Sequence, residues 1–138
     1  MTRVRVHTGK PGADMEDSTL AELPDIMSEN SGGWVDIFQP DEESTRDFLQ
    51  HKMGFHHLSV DDCFEEPASR NFVYENHKFT TFKARDADRE LDTEYLRSFL
   101  QDGWLITIRH AHMPGIAEFR KRIRSKSFMK DGMMNTEY

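Results

Sequence analysis

The stretch GFHHLSVDD, residues 54–62, gathers His56, His57, Asp61 and Asp62, and His51 stands just upstream. Imidazoles and carboxylates this close can serve a zinc site, a hydrolase, a magnesium site, or a solvated helix surface. On a helix, His57 and Asp61 are four positions apart and share a face, which is a workable spacing for zinc ligands. A hydrolase needs a nucleophile or a metal-bound water beside a general base in a pocket. No serine or cysteine motif of that kind stands out, so the sequence reads as a non-enzyme. His110 and His112 flank the end of a strand pattern and are assigned structural roles. Neither of the glycine signatures that cradle phosphate is present.

The 138 residues suit one domain, and 36% hydrophobic with 11% aromatic residues is a globular composition. The net charge of −7 is unevenly spread: residues 1–119 carry 12 Lys and Arg against 23 Asp and Glu, whereas residues 120–138 carry 6 against 2. An acidic body repels nucleic-acid phosphates and anionic lipid and attracts cations, which argues against a nucleic-acid partner. The basic cluster Arg120 to Lys130 reads as a solvated helix face or as a contact for an anionic surface. A single cysteine, Cys63, and the lack of a signal-peptide pattern favour a reducing setting. The most continuous apolar run, WLITI at 104–108, falls far short of the roughly 20 residues that cross a bilayer.

Several elements must position the opening residues. RVRVH at 3–7 alternates at period two and predicts a strand with Val4 and Val6 inward. Residues 9–33 read as loop with one short element around 18–23, and GWVDIF reads as a strand ending at Phe38. Pro40 suits a first helical position, and Phe48, Leu49, Lys52 and Met53 form a stripe that stops at Gly54. A shorter helix is predicted over 57–65, with Leu58 and Cys63 inward and Pro67 closing it. NFVYENHKFTTFKA reads as a hairpin around the polar ENHK. A second hairpin turns at Asp102-Gly103, the dipeptide that a two-residue type I′ turn favours. A last helix is predicted from Pro114, with Ile116, Phe119 and Ile123 on one face. Together these elements predict a mixed β-sheet flanked by helices, an α/β fold of the α+β type.

From Trp34 onward, the order of these elements resembles the cytosolic N-terminal domain of the CorA family of divalent-metal transporters. That family has a W-[IV]-D-[IL] strand followed by a helix-opening proline, and here stand Trp34, Val35, Asp36, Ile37 and Pro40. Its Gly, apolar residue, H-P-L, variable residue, apolar residue and E-D correspond to Gly54 through Asp62. RNFV at 70–73 leading to Phe79 resembles its R-P-K-V and aromatic strand, and LITIRH from Leu105 its L-V-T-V-H strand. The similarity spans roughly residues 33–127. His57 replaces the proline, Asn71 and Phe72 replace P-K, and Asp61 replaces the glutamate, which shortens a ligand arm. The family's pore signature, Gly-Met-Asn, is not matched by GMMN at 132–135, which has an extra methionine and no apolar run before it.

The resemblance implies a homopentameric channel or transporter for magnesium, with cobalt or zinc as further candidates. It implies that residues 1–125 form a cytosolic regulatory domain at the inner face of the cell membrane. Residues 126–138 would then lead toward a stalk helix and a membrane domain. It also implies that Mg2+ sits between this domain and a neighbouring subunit's stalk, and that Asp61 and Asp62 are the metal ligands on this chain. Two other readings stay open: a zinc-transporting branch of the family, mildly favoured by the histidines near position 56, and a freestanding acidic interaction or scaffold domain.

Overall fold

Gly33 sets how closely the first two central strands meet: a Cβ added there would lie 2.1 Å from the backbone oxygen of His7. In the computed structural model, which describes residues 2–8, 15–64, 71–73, 77–86 and 89–110, this contact joins β1 (Arg3–His7) to β3 (Gly33–Phe38). β1 buries Val4 and Val6 as the alternation requires. Between the two strands lie β2 (Glu16–Ser18) and α1 (Leu23–Glu29), so the single short element expected near 18–23 is in fact two elements on either side of a turn. Pro24 occupies the first turn of α1, where its missing N–H costs nothing.

α2 (Glu42–Asp47) starts two residues later than expected. Asp41, not Pro40, closes it: the Asp41 carboxylate accepts from the Ser44 amide at 3.0 Å and the Ser44 hydroxyl at 2.7 Å. These two hydrogen bonds hold the Asp41 carboxyl below its ordinary value. The chain then widens into a π-helical turn, Phe48–Lys52, in which the Met53 amide reaches the Phe48 carbonyl. Gly54, at φ 73°, reverses the chain where a side chain would be strained. α3 (His57–Asp62) follows and ends three residues earlier than the sequence suggests, with Cys63 and Phe64 in a turn.

β4 (Asn71–Val73), β5 (Lys78–Asp86), β6 (Arg89–Gln101) and β7 (Trp104–Arg109) complete the sheet. The two expected hairpins are one continuous meander, because β5 and β6 pair from Lys78↔Leu100 to Arg85↔Thr93 without a break. The turn between β6 and β7 is as the sequence requires: Asp102 and Gly103 have φ of 46° and 83°. Among the described residues the sheet has seven strands in the order β2-β1-β3-β7-β6-β5-β4. Only β3 and β7 run parallel among these pairs, with Asp36 opposite Thr107 and Phe38 opposite Arg109. The mixed sheet with helices is the expected α+β arrangement.

One apolar cluster unites Val4, Val6, Val35, Ile37, Ile106, Ile108, Phe79 and Phe99 from the strands with Phe48, Leu49, Val60 and Cys63. The expectation for Leu58 is corrected: it is 50% exposed. With the cap at His56, the inward face of α3 carries Ser59, Val60 and Asp62, which leaves Leu58 outside. Cys63 is buried as expected, and burial pushes its thiol pKa up, so it is an inert core thiol. Pro67, His112, the helix from Pro114, the basic cluster and GMMN lie outside the described residues.

Candidate functional site

His56 begins the site by ending the search for its role. Its backbone is extended (φ −63°, ψ 139°), and its Nδ1 accepts from the Leu58 amide at 3.1 Å. The imidazole is thus the N-cap of α3, with Nδ1 unprotonated. Its ring stacks on His57 with centroids 4.5 Å apart.

Asp61 and Asp62 are adjacent on α3, and successive helical residues point about 100° apart, so their surroundings differ. The Asp61 side chain keeps 35% exposure, and its Oδ1 accepts from Arg46 NH1 at 2.5 Å. Asp62 is 2% exposed, and its Oδ2 accepts from the Thr81 hydroxyl at 3.1 Å. Thr81 is the cross-strand partner of the buried Arg97, so Asp62 meets the sheet where β5 and β6 carry polar groups. The structure therefore brings the two carboxylates together in the chain but not onto one open surface. Among the described residues, no group of three or more His, Cys, Asp or Glu side chains could hold a metal ion.

Arg46 is the residue that motif reading missed. Its Nε donates to Glu42 Oε2 at 2.9 Å within α2, and its guanidinium lies 5.1 Å over the Phe64 ring. These acceptors, with the Asp61 hydrogen bond foremost, push its pKa up. Phe64 in turn meets His110 edge-on at 5.8 Å, and His110 Nε2 donates to the Cys63 carbonyl at 2.7 Å. The Glu42–Arg46 spacing of four was visible in the sequence, whereas the Asp61 partner, 15 residues on, was not.

His77 was hidden inside the polar ENHK. It is 4% exposed, with its ring 4.7 Å from Phe55 and 5.8 Å from Phe99, and its Nε2 is 3.5 Å from the Ser59 hydroxyl. Burial first, and His56 nearby, lower its pKa to about 4.

The W-x-D strand has a structural explanation in β3 and β7. Trp34 Nε1 donates to Thr107 Oγ1 at 2.8 Å, and Thr107 Oγ1 lies 2.9 Å from Asp36 Oδ1. Arg109 adds two-pronged contacts to Asp36, Nε at 3.1 Å and NH2 at 2.9 Å to Oδ2, and stacks 4.5 Å over Phe38. Asp36 and Arg109 are 3% and 5% exposed. This network ties together the two parallel strands that support the whole sheet.

Comparison with known proteins follows the same lines. Residues 29–133 match the family described as CorA-like Mg2+ transporter protein. Over 122 residues the chain is 30% identical to the putative metal ion transporter YfjQ of Bacillus subtilis (strain 168), covering 85% of this chain and 35% of that protein. The chain thus spans about a third of the length of this curated relative. The fold is similar to that of the full-length CmaX protein, with a TM-score of 0.66 at 14% identity over 96% of this chain and 43% of that one. It is also similar to the soluble domain of CorA from Methanocaldococcus jannaschii, with a TM-score of 0.60 at 18% identity over 94% of this chain and 50% of that one. Among the described residues, no helix is long and apolar enough to cross a membrane.

Proposed function

The chain belongs to the family of CorA-like Mg2+ transporter proteins, and from that premise we propose that it is the cytosolic regulatory domain of a divalent-metal transporter. In this reading the whole protein is a homopentamer anchored by membrane segments beyond this domain, and intracellular Mg2+ binds between subunits to favour the closed packing. The family match over residues 29–133 carries the reading. The physical logic is electrostatic: an acidic body of 23 carboxylates against 12 basic side chains over residues 1–119 repels its neighbours until a divalent cation bridges them. Falling magnesium then loosens the ring and admits the ion, with Co2+ as a further cargo.

Asp61 and Asp62 are this chain's contribution in that reading, with unequal parts. Asp61 is the direct ligand, because its carboxylate is partly exposed. A carboxylate with access to water suits a hard cation that keeps part of its hydration shell. Asp62, anchored on Thr81, holds the end of α3 against the sheet and so fixes where Asp61 stands.

The test is Mg2+ binding to the 138-residue chain by calorimetry. Half a site binds weakly, with an expected Kd of about 10⁻⁴–10⁻³ M. Asp61→Asn should weaken binding further. His56→Asn, which keeps an N-capping side chain, and His57→Ala should leave it unchanged, because imidazole is a poor ligand for a hard cation. If the histidine substitutions abolish binding and Asp61→Asn does not, the magnesium reading fails and the zinc branch replaces it.

A further inference from the structure

A cation already sits on the Asp61 carboxylate, and it belongs to the protein. The Arg46 guanidinium spans two helices: one N–H reaches Asp61 of α3, another reaches Glu42 of α2, and its face rests on Phe64. We propose that Arg46 is a tethered counter-cation that must leave Asp61 before a divalent ion can bind there, and that it thereby sets the concentration at which the domain responds to metal. This inference rests on the reading of Asp61 as a metal ligand and adds a residue to which that reading assigns no role.

Three features favour competition over a purely structural ion pair. The Arg46 side chain is 29% exposed and the Asp61 side chain 35%, so water and ions reach both, and the pair is exchangeable rather than sealed. Losing Asp61 would not strand the guanidinium, because Glu42 Oε2 at 2.9 Å and the Phe64 ring remain to receive it. And a divalent ion brings twice the charge of a guanidinium to the same carboxylate, so an exchange that is unfavourable at low metal becomes favourable as the concentration rises. Binding to a partner-occupied site is weakened by the fraction of time the site is free. A partly exposed pair of this kind leaves that fraction at roughly one third to one sixth. Release of Arg46 also removes the tie between α2 and α3, which links metal binding at Asp61 to the packing of the two helices.

The experiment measures Mn2+ binding by electron paramagnetic resonance, with Mn2+ as a hard, oxygen-preferring stand-in for Mg2+. Arg46→Gln keeps much of the stem and removes the charge. It should tighten Mn2+ binding by roughly three- to sixfold. Lys52→Gln removes a charge of the same sign from the exposed side of the neighbouring π-helical turn and should change the affinity less than twofold. The gain from Arg46→Gln should vanish when it is combined with Asp61→Asn. A second readout needs no variant: the Arg46 Nε–Hε resonance of the wild-type chain should move in step with occupancy during a Mg2+ titration. If Asp61→Asn weakens binding but Arg46→Gln leaves it as in wild type, the competitor role is overturned while the metal reading stands. If Asp61→Asn binds Mn2+ as tightly as wild type, both are overturned. An equal gain from Lys52→Gln, or a resonance that stays still while metal binds, also overturns the competitor role.

Discussion

Arg109→Met should be among the most damaging single substitutions in the chain. Arg109 and Asp36 are 5% and 3% exposed, and the guanidinium makes contacts of 3.1 and 2.9 Å to the same carboxylate oxygen. Methionine preserves part of the stem over Phe38 but leaves the Asp36 carboxylate buried, with Thr107 at 2.9 Å as its remaining side-chain partner among the described residues. Breaking a buried pair by removing one partner costs about 3–5 kcal/mol, a large part of the roughly 5–15 kcal/mol that holds a typical domain together. Asp36→Asn should cost less, because the amide oxygen still accepts from Arg109. The double variant should cost clearly less than the two singles added, with a coupling of about 2 kcal/mol, because neither charge is then left alone. Urea unfolding followed by tryptophan fluorescence is the natural assay, since Trp34 donates into this network and is 1% exposed. With a slope of about 2 kcal/mol per molar, a 4 kcal/mol loss lowers the midpoint by about 2 M. A loss below about 1 kcal/mol for Arg109→Met, or strict additivity in the cycle, would refute the view that this pair fastens β3 to β7.

Two further outcomes are expected. His77 is buried with a pKa of about 4, against 6.5 for the free side chain. The unfolded chain therefore takes up a proton between pH 6.5 and 4 that the folded chain refuses, and stability should be complete above this window and fall as pH drops through it. The loss from this residue is on the order of 3 kcal/mol, and His77→Gln should flatten that part of a stability profile; an unchanged slope counts against the assignment. Thr45 is fully buried, and among the described residues its hydroxyl finds no hydrogen-bond partner. Thr45→Val keeps the shape and removes the unsatisfied group, so it should raise stability by about 1 kcal/mol in the same urea assay, and a loss of that size would mean that the hydroxyl is satisfied.

The sequence by itself determined those features whose cause is local. Alternation at Val4 and Val6 requires a half-buried strand, Asp102-Gly103 requires a tight turn, and Gly54 ends a helical stripe; each acts within a few residues and each stands in the structure. The order of these elements with the W-x-D and HHLSVDD stretches was also enough to place the chain in its family. Boundaries that depend on a side chain's choice of partner were not legible. Asp41 rather than Pro40 starts α2 because its carboxylate takes the Ser44 amide, and Leu58 faces outward because the cap at His56 sets the phase of α3. The site itself was decided by tertiary structure. Two neighbouring aspartates look equivalent in a string of letters, yet one meets Arg46 at the edge of water and the other meets Thr81 inside. His77 looked like a turn residue until Phe55 and Phe99 closed around it. Asp36 and Arg109 stand 73 positions apart, and only the parallel pairing of β3 with β7 makes them neighbours. Charge and hydrogen-bonding capacity are written in the sequence, but the free energy of a charged group depends on what excludes water from it, and that is supplied by residues far along the chain.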